Sequence, residues 1–196
     1  MTTLEDLLTQ KKKYTVIYAD PPWHYRNAKY QDNNRKRSAL QSTYRTMKTT
    51  EIQKLPIRNI TEDNAVCFLW VTDSHLKDGL DVLASWGFQY KTVAFVWTKT
   101  STKGNFMYNV GPYTLKSCEI VLLGTKGKTR ALRKANNVKQ LVQAVRREHS
   151  RKPDEVAKRI ETMYGTKETT KIELFARCRR DGWDAWGNEV NKYSTK

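Results

Sequence analysis

Five short apolar runs stand out along an otherwise polar chain. Tyr14 to Ala19 is rich in β-branched and aromatic residues, which predicts a strand. Ala65 to Val71 is continuously apolar and suits a strand buried on both faces. Thr92 to Trp97 and Glu119 to Leu123 repeat that pattern, the latter ended by Gly124, and Ile172 to Ala176 is the last run. Helical periods lie between them. Thr72, Asp73 and Ser74 offer capping chemistry, Leu76, Leu80, Leu83 and Ala84 follow at helical spacing, and Gly87 closes the segment. A second helix starts with Pro153 at its first position, followed by Asp154 and Glu155. Val156, Ala157, Ile160, Met163 and Tyr164 form its apolar face, and Gly165 ends it. Thr50 to Leu55 predicts a short helix before Pro56, and Val138 to Val145 can be read as helical. Residues 24 to 46 and 98 to 113 lack a sustained period and are expected to be loops. The segment after Ala176, from Arg177 to Val190, is rich in Trp and Gly.

Buried strands that alternate with amphipathic helices predict an α/β fold whose largely parallel sheet is covered by helices on both faces. Sheets of that kind bind ligands at the carboxyl ends of their strands. No repeat, low-complexity tract or linker interrupts the pattern, so residues 1–196 are expected to form a single domain.

Charge then narrows the class of partner. The 36 Lys and Arg outnumber the 20 Asp and Glu, a formal charge of +16, which points to a polyanion. Six Trp and ten Tyr argue against a disordered chain. The three cysteines, Cys67, Cys118 and Cys178, are scattered and never paired as Cys-x-x-Cys, which speaks against a disulfide framework and for a reducing compartment. Neither they nor the three His have zinc spacing, so no metal is expected. With no apolar signal core and no run of membrane-span length, a cytoplasmic protein is expected.

The most informative stretch is Asp20-Pro21-Pro22-Trp23, at the carboxyl end of the first strand. Successive prolines fix φ and carry no N–H, so their carbonyls should point in set directions without a local turn donor. A carboxylate, a rigid carbonyl and a large aromatic then stand side by side. Adenine's amino lone pair is delocalised into its ring and is a poor nucleophile. Asp20 and the Pro21 carbonyl can accept hydrogen bonds from both amino hydrogens and stabilise the positive charge that develops on methylation. Trp23 or Tyr25 can stack on a flipped base.

Asp-Pro-Pro-Trp after a strand resembles the signature of the MT-A70 family of adenine-amino methyltransferases. The resemblance runs from about Tyr14 to Val190. It includes Phe68-Leu69-Trp70-Val71, Trp97-Thr98-Lys99, Glu119 with Leu122 and Gly124, Ser150-Arg151-Lys152-Pro153-Asp154-Glu155, Glu173-Leu174-Phe175-Ala176-Arg177, and Trp186-Gly187-Asn188-Glu189, in the family's order. It implies a Rossmann-like class I methyltransferase with permuted (β-class) motif order, the catalytic strand first and the cofactor strand last. It implies S-adenosyl-L-methionine as cofactor, with Asp20, Lys152 and Arg177 near its methionine or ribose end. Lys152 matches a lysine that meets the methionine carboxylate, and Asn188 and Glu189 would bond the ribose hydroxyls. The family's RNA enzymes carry Gln where this chain has Glu189, and His where it has Arg179 or Arg180. Asp20 is intact, unlike in the family's inactive partner subunits, so activity is expected and no obligate inactive partner is implied.

Two basic stretches are candidates for nucleic-acid contact. In Arg26 to Arg37, Lys29, Arg35, Lys36 and Arg37 are interleaved with Tyr25 and Tyr30, a composition suited to an unpaired strand. Lys126 to Lys152 includes Arg130, Arg133 and Lys134, whose natural use is phosphate neutralisation. Loops 98 to 113 and 126 to 147 are the candidates for sequence specificity. DNA is expected over RNA, because the chain is compact and lacks the extra domains of the RNA writers, acting as a monomer or homodimer. The rivals are an RNA adenine-N6 methyltransferase, an enzyme acting on cytosine's amino group, and a non-catalytic nucleic-acid-binding module.

Overall fold

The computed structural model describes residues 8–9, 11–25, 46–111, 113–148 and 150–193. The basic residues Lys29, Arg35, Lys36 and Arg37, expected at the nucleic-acid surface, lie outside the described residues. Seven strands form one sheet: β1 (Tyr14–Ala19), β2 (Thr61–Val71), β3 (Gln89–Thr100), β4 (Cys118–Lys126), β5 (Leu141–Val145), β6 (Lys171–Leu174) and β7 (Asp184–Trp186), in the order β5-β3-β4-β2-β1-β6-β7. β4 runs antiparallel to both of its neighbours, and every other pairing is parallel. The sheet is therefore largely parallel and Rossmann-like, with one reversed strand inside it.

The apolar runs explain why both faces are buried. Along β2, Ala65, Cys67, Leu69 and Val71 enter one core, and Val66, Phe68 and Trp70 enter the other. This is the period-2 alternation of a strand whose residues from Ala65 onward are all apolar. Helices α1 (Thr49–Gln53) and α2 (Leu76–Ser85) cover the first face with Ile52, Val82 and Leu83. The Trp86 indole N–H, donating to the Ile52 carbonyl at 2.9 Å, ties the two helices together. Helix α3 (Asp154–Tyr164) covers the second face with Val156, Ala157, Ile160 and Tyr164. Its first turn carries Asp154 and Glu155, and Gly165 leaves it at φ +84°.

Three details differ from the sequence reading. Residues 141–145 form an edge strand, not a helix: Val142 turns inward, Leu141, Gln143 and Val145 turn outward, and β3 supplies the hydrogen-bonding partner. A seventh strand, β7, pairs with β6 inside the Trp- and Gly-rich tail. Pro153 caps α3 from extended backbone (φ −67°, ψ 133°) instead of occupying its first turn.

The reversed β4 also fixes what lies at each end of the sheet. Its amino end, at Cys118 and Glu119, joins the carboxyl ends of β1, β2, β3 and β6. Its carboxyl end, Lys126, pairs with Ala65 at the other end. Among the described residues, no helix is long and apolar enough to cross a membrane.

Gly124, in the middle of β4, passes beneath α2. A Cβ there would lie 2.9 Å from both Leu83 Cδ2 and Phe88 Cβ, closer than real packing allows. Gly124→Val is expected to lower stability by about 1–3 kcal/mol through overpacking. Urea denaturation checks this: an unchanged midpoint would mean that α2 does not press on the sheet here.

Candidate active site

At the carboxyl end of β1, Asp20 joins a chain of three charged side chains brought by other elements. The Lys152 ammonium lies 2.9 Å from Asp20 Oδ1 and 3.1 Å from Glu119 Oε2. The other oxygen of Glu119 takes the Lys99 ammonium at 2.6 Å. The result is a linear chain, Asp20–Lys152–Glu119–Lys99, of two cations and two carboxylates. The four side chains keep only 13% to 19% of their surface. Two indole faces floor it: Lys152 sits 5.4 Å over Trp70 and Lys99 sits 5.2 Å over Trp97. Trp70 is itself fixed by donating its N–H to the Tyr18 hydroxyl at 2.7 Å.

Burial shapes the titration of each group. It raises the Asp20 carboxyl above its ordinary value, against the pull of Lys152 and Arg177. Burial pushes Glu119 upward too, but Lys152 and Lys99 overrule it and hold the carboxyl at about 2. Burial disfavours the Lys152 cation, yet Asp20 and Glu119 outweigh it and hold its pKa above the ordinary lysine value. Lys152 is a fixed cation and Glu119 a fixed anion.

A cleft opens beside Asp20. Ser150, Arg151, Lys152, Asp154, Glu173, Phe175, Arg177, Cys178, Arg180 and Tyr193 line it with Asp20. Its base is a second balanced network. Arg180 bonds Glu173 at 2.9 Å and Asp154 at 2.8 Å, and Arg147 takes the other oxygen of Asp154 at 2.8 Å. Arg177 faces Glu189 at 3.4 Å, and Arg151 stacks 4.9 Å from the Tyr193 ring. Phe175 adopts φ +59°, and Gly187 packs so closely beneath it that a Cβ would lie 2.7 Å from the Ala176 nitrogen. That close approach lets the turn after β6 and the turn after β7 reach the same cleft.

The Asp-Pro-Pro-Trp backbone differs from expectation in one respect. Both proline carbonyls have donors: Pro21 accepts the Trp23 N–H at 2.9 Å, and Pro22 accepts the Met47 N–H at 2.8 Å. A tight turn and a short bridge to Met47 supply what the prolines cannot. Each carbonyl keeps a second lone pair. Trp23 is buried in the core, donates its indole N–H to the Trp70 carbonyl at 3.0 Å and stacks on His75. Its ring is structural in this conformation and not offered to a base. Tyr25 remains exposed, edge-on to His75 and bonded to Thr72 at 3.4 Å.

Of the expected site residues, Asp20, Lys152 and Arg177 line one cleft, and Glu189 reaches it through Arg177. Asn188 is exposed next to Glu189. Arg130, Arg133 and Lys134 are exposed as well, but they follow β4 from its Lys126 end. Six residue steps along β2, about 20 Å, separate that end from the cluster. Three contributors carried no expected role: Lys99, Glu119 and Trp70. The signal that could have found the first two is a charged residue at the end of an apolar strand, Lys99 after Thr92 to Trp97 and Glu119 before Ile120 to Leu123.

The donor set fits S-adenosylmethionine. That molecule carries a carboxylate, an ammonium group and a ribose diol. Lys152 engages two carboxylates with three N–H donors, which leaves capacity for a third, and carboxylates such as Glu189 and Glu173 suit hydroxyl or ammonium donors.

Comparison with known proteins agrees. The MT-A70 family model matches residues 14–189. The chain is 42% identical over 192 residues to the type II methyltransferase M.MunI of Mycoplasma sp, covering 92% of this chain and 79% of that protein. It is 30% identical over 207 residues to the human N(6)-adenine-specific methyltransferase METTL4, covering 98% of this chain and 41% of METTL4. Against the human N(6)-adenosine-methyltransferase catalytic subunit METTL3 the identity is 28% over 183 residues, 91% of this chain and 28% of METTL3. The chain thus spans less than half the length of these two human relatives.

The depressed Glu119 carboxyl makes a pH prediction. Its folded value, about 2, lies below its ordinary 4.5. The stabilisation is therefore complete above about pH 4.5 and is lost as pH falls toward 2; the shift corresponds to roughly 3 kcal/mol. Denaturant titrations between about pH 5 and 2.5 should show a flatter acid limb for Glu119→Gln than for wild type. Parallel acid limbs would mean that Glu119 is not held by the two lysines.

Proposed function

Because the chain belongs to the MT-A70 family of S-adenosylmethionine-dependent methyltransferases, we propose that its acceptor is the exocyclic N6 amino group of adenine in DNA. The observation that carries this reading is the Asp20 carboxylate, set at a strand's carboxyl end on the edge of an ion-lined cleft. The relatives METTL4, an N(6)-adenine-specific methyltransferase, and METTL3, an N(6)-adenosine-methyltransferase subunit, support the adenine amino group. The likeness to a type II methyltransferase, a designation used for DNA-modifying enzymes, favours DNA over RNA. The +16 charge supports a polyanionic substrate in either case.

Asp20 accepts one amino hydrogen of the target base, and the remaining lone pair on the Pro21 carbonyl accepts the other. Both bonds draw the amino nitrogen toward tetrahedral geometry and strengthen as positive charge develops on it. S-adenosylmethionine, when bound, supplies an electrophilic methyl group on its sulfonium. Once methylated, the amino nitrogen would carry positive charge and a surplus proton, and Asp20 is placed to take that proton. The Lys152 ammonium, 2.9 Å from Asp20, favours against burial the carboxylate form that both tasks need, and would offer its remaining N–H to the cofactor carboxylate. Arg177, Asn188 and Glu189 would hold the ribose end. Trp23 buttresses the motif from the core, and Tyr25 is the nearby exposed ring for the base. Arg130, Arg133 and Lys134 are left to flanking phosphates, about six base pairs along a duplex from the target. Residues 1–196 act as one methyltransferase domain, as a monomer or homodimer. Buried, unpaired Cys67 and Cys178 support a cytoplasmic setting.

Three measurements test the reading. Incubation with labelled cofactor and matched DNA and RNA, followed by nucleoside mass spectrometry, should give N6-methyladenine in DNA. Methyl-cytosine, or a methylated base in RNA alone, would overturn it. Asp20→Ala should lose on the order of hundredfold or more in turnover while keeping its fold by circular dichroism. Calorimetry should separately show weaker S-adenosylmethionine binding for Arg177→Ala and Asn188→Ala; wild-type affinity in both would remove these residues from the cofactor site.

A further inference from the structure

Between Thr100, which ends β3, and Cys118, which starts β4, the chain doubles back twice. Phe106 returns to bridge Thr100, and the Met107 N–H reaches the Lys99 carbonyl at 2.9 Å. Asn109 and Lys116 then exchange both backbone hydrogen bonds, at 2.7 and 2.8 Å. The Lys116 ammonium pins this hairpin to the turn after β2, 3.0 Å from Asp73 and 3.1 Å from Ser74. On this braced frame three aromatic side chains face solvent: Phe106 at 53% exposure, Tyr108 at 59% and Tyr113 at 97%. A soluble chain rarely leaves such rings uncovered without a partner for them.

The surroundings say what kind of partner. No Asp or Glu occurs from Thr98 to Cys118. Exposed Lys103 lies in the hairpin, and exposed Arg146 adjoins it, its backbone N–H 2.9 Å from the Thr100 carbonyl. Lys99, at the stem, belongs at the same time to the Asp20 ion chain. The rings therefore rise from the rim of the reaction centre, on a segment that holds no carboxylate of its own and is edged by cations; the adjoining Asp73 and Glu119 are ion-paired with Lys116 and Lys99.

We propose that this hairpin is a base-stacking surface for the nucleotides that flank the target adenine. The proposal rests on the nucleic-acid reading given above. Extruding one base leaves its neighbours with uncovered faces, and aromatic side chains take such faces with little regard to sequence. Phe106, Tyr108 and Tyr113 supply the rings, and Lys103 and Arg146 meet the adjoining phosphates. A second copy of this chain is the competing occupant. The lack of a carboxylate within residues 98–118 argues against it, since the adjoining Asp73 and Glu119 are already paired with Lys116 and Lys99.

Fluorescence anisotropy with labelled single-stranded DNA tests the proposal on the full chain. Each of Phe106→Ala, Tyr108→Ala and Tyr113→Ala should weaken binding by on the order of tenfold. Tyr108→Phe and Tyr113→Phe keep the ring and should stay near wild type. S-adenosylmethionine affinity by calorimetry should not change in any of them, which separates lost stacking from a damaged fold. Tyr113, almost wholly exposed, can be truncated without touching the core. Unchanged DNA affinity in all three Ala variants would overturn the proposal. So would a triple variant that loses self-association in sedimentation velocity while binding DNA as wild type does, since that result assigns the hairpin to a second copy. A wild-type protein that methylates RNA and not DNA, yet binds through these rings, would retire the DNA reading and leave the stacking surface standing.

Discussion

Lys152, held between Asp20 and Glu119 with an indole face beneath it, is the contact on which the rest of the site depends. A buried carboxylate without a partner would take up a proton, and a protonated Asp20 could accept far less from an amino group that is becoming positive. Removing one member of such a buried pair typically costs about 3–5 kcal/mol, because the other is left desolvated and alone. The pair is therefore strongly specified, and so are the elements that bring it together. Asp20 ends β1, Lys152 precedes α3, and Glu119 comes from β4.

The last of these explains the reversed strand. In a wholly parallel sheet the amino end of every strand lies away from the carboxyl ends. β4 runs the other way, so its first residues stand beside the last residues of β2 and β3, with Trp97 directly opposite Glu119. Reversal thus delivers an anion to the carboxyl edge from the start of a strand. It also turns the β3–β4 connection into a hairpin at that edge, which is why the exposed rings and the ion chain share Lys99 as a common residue.

The elements with a strong local period were legible in the sequence. Tyr14 to Ala19, Ala65 to Val71 and Ile172 to Leu174 are strands because nothing but a two-sided core can take their side chains, and the helix after Pro153 announces itself by its acidic first turn and its glycine. The edge strand β5 was not legible. Val138, Leu141, Val142 and Val145 satisfy the helical spacing i, i+3, i+4, i+7, and they also alternate in and out as a strand. The hydrogen bonds along β3 decide between the two, and no local pattern contains them. β7 is three residues long and has no apolar run to mark it. In the site, Asp20 was legible through motif chemistry, and Lys152 and Arg177 through the resemblance to the family; Arg151 and Arg180, which line the same cleft, were not. The partnership of residues 20, 99, 119 and 152 was not, since it exists only once four separate elements meet. Trp23 shows the reverse case: its place in the motif was plain, but core packing had already claimed its ring.

The two buried networks also bear on the chain's large positive charge. Asp20 and Glu119 cancel Lys152 and Lys99, and Asp154 and Glu173 cancel Arg147 and Arg180. Both networks are neutral, so the whole excess of +16 is carried by residues outside them. Exposed cations are screened within about 10 Å at ordinary ionic strength, whereas desolvated pairs are screened far less. Salt therefore acts on how the chain holds a polyanion and leaves the protonation of Asp20 and Lys152 almost untouched. On the proposed function, substrate capture and methyl transfer would draw on separate sets of charges, so a change of surface charge would alter the first without disturbing the second.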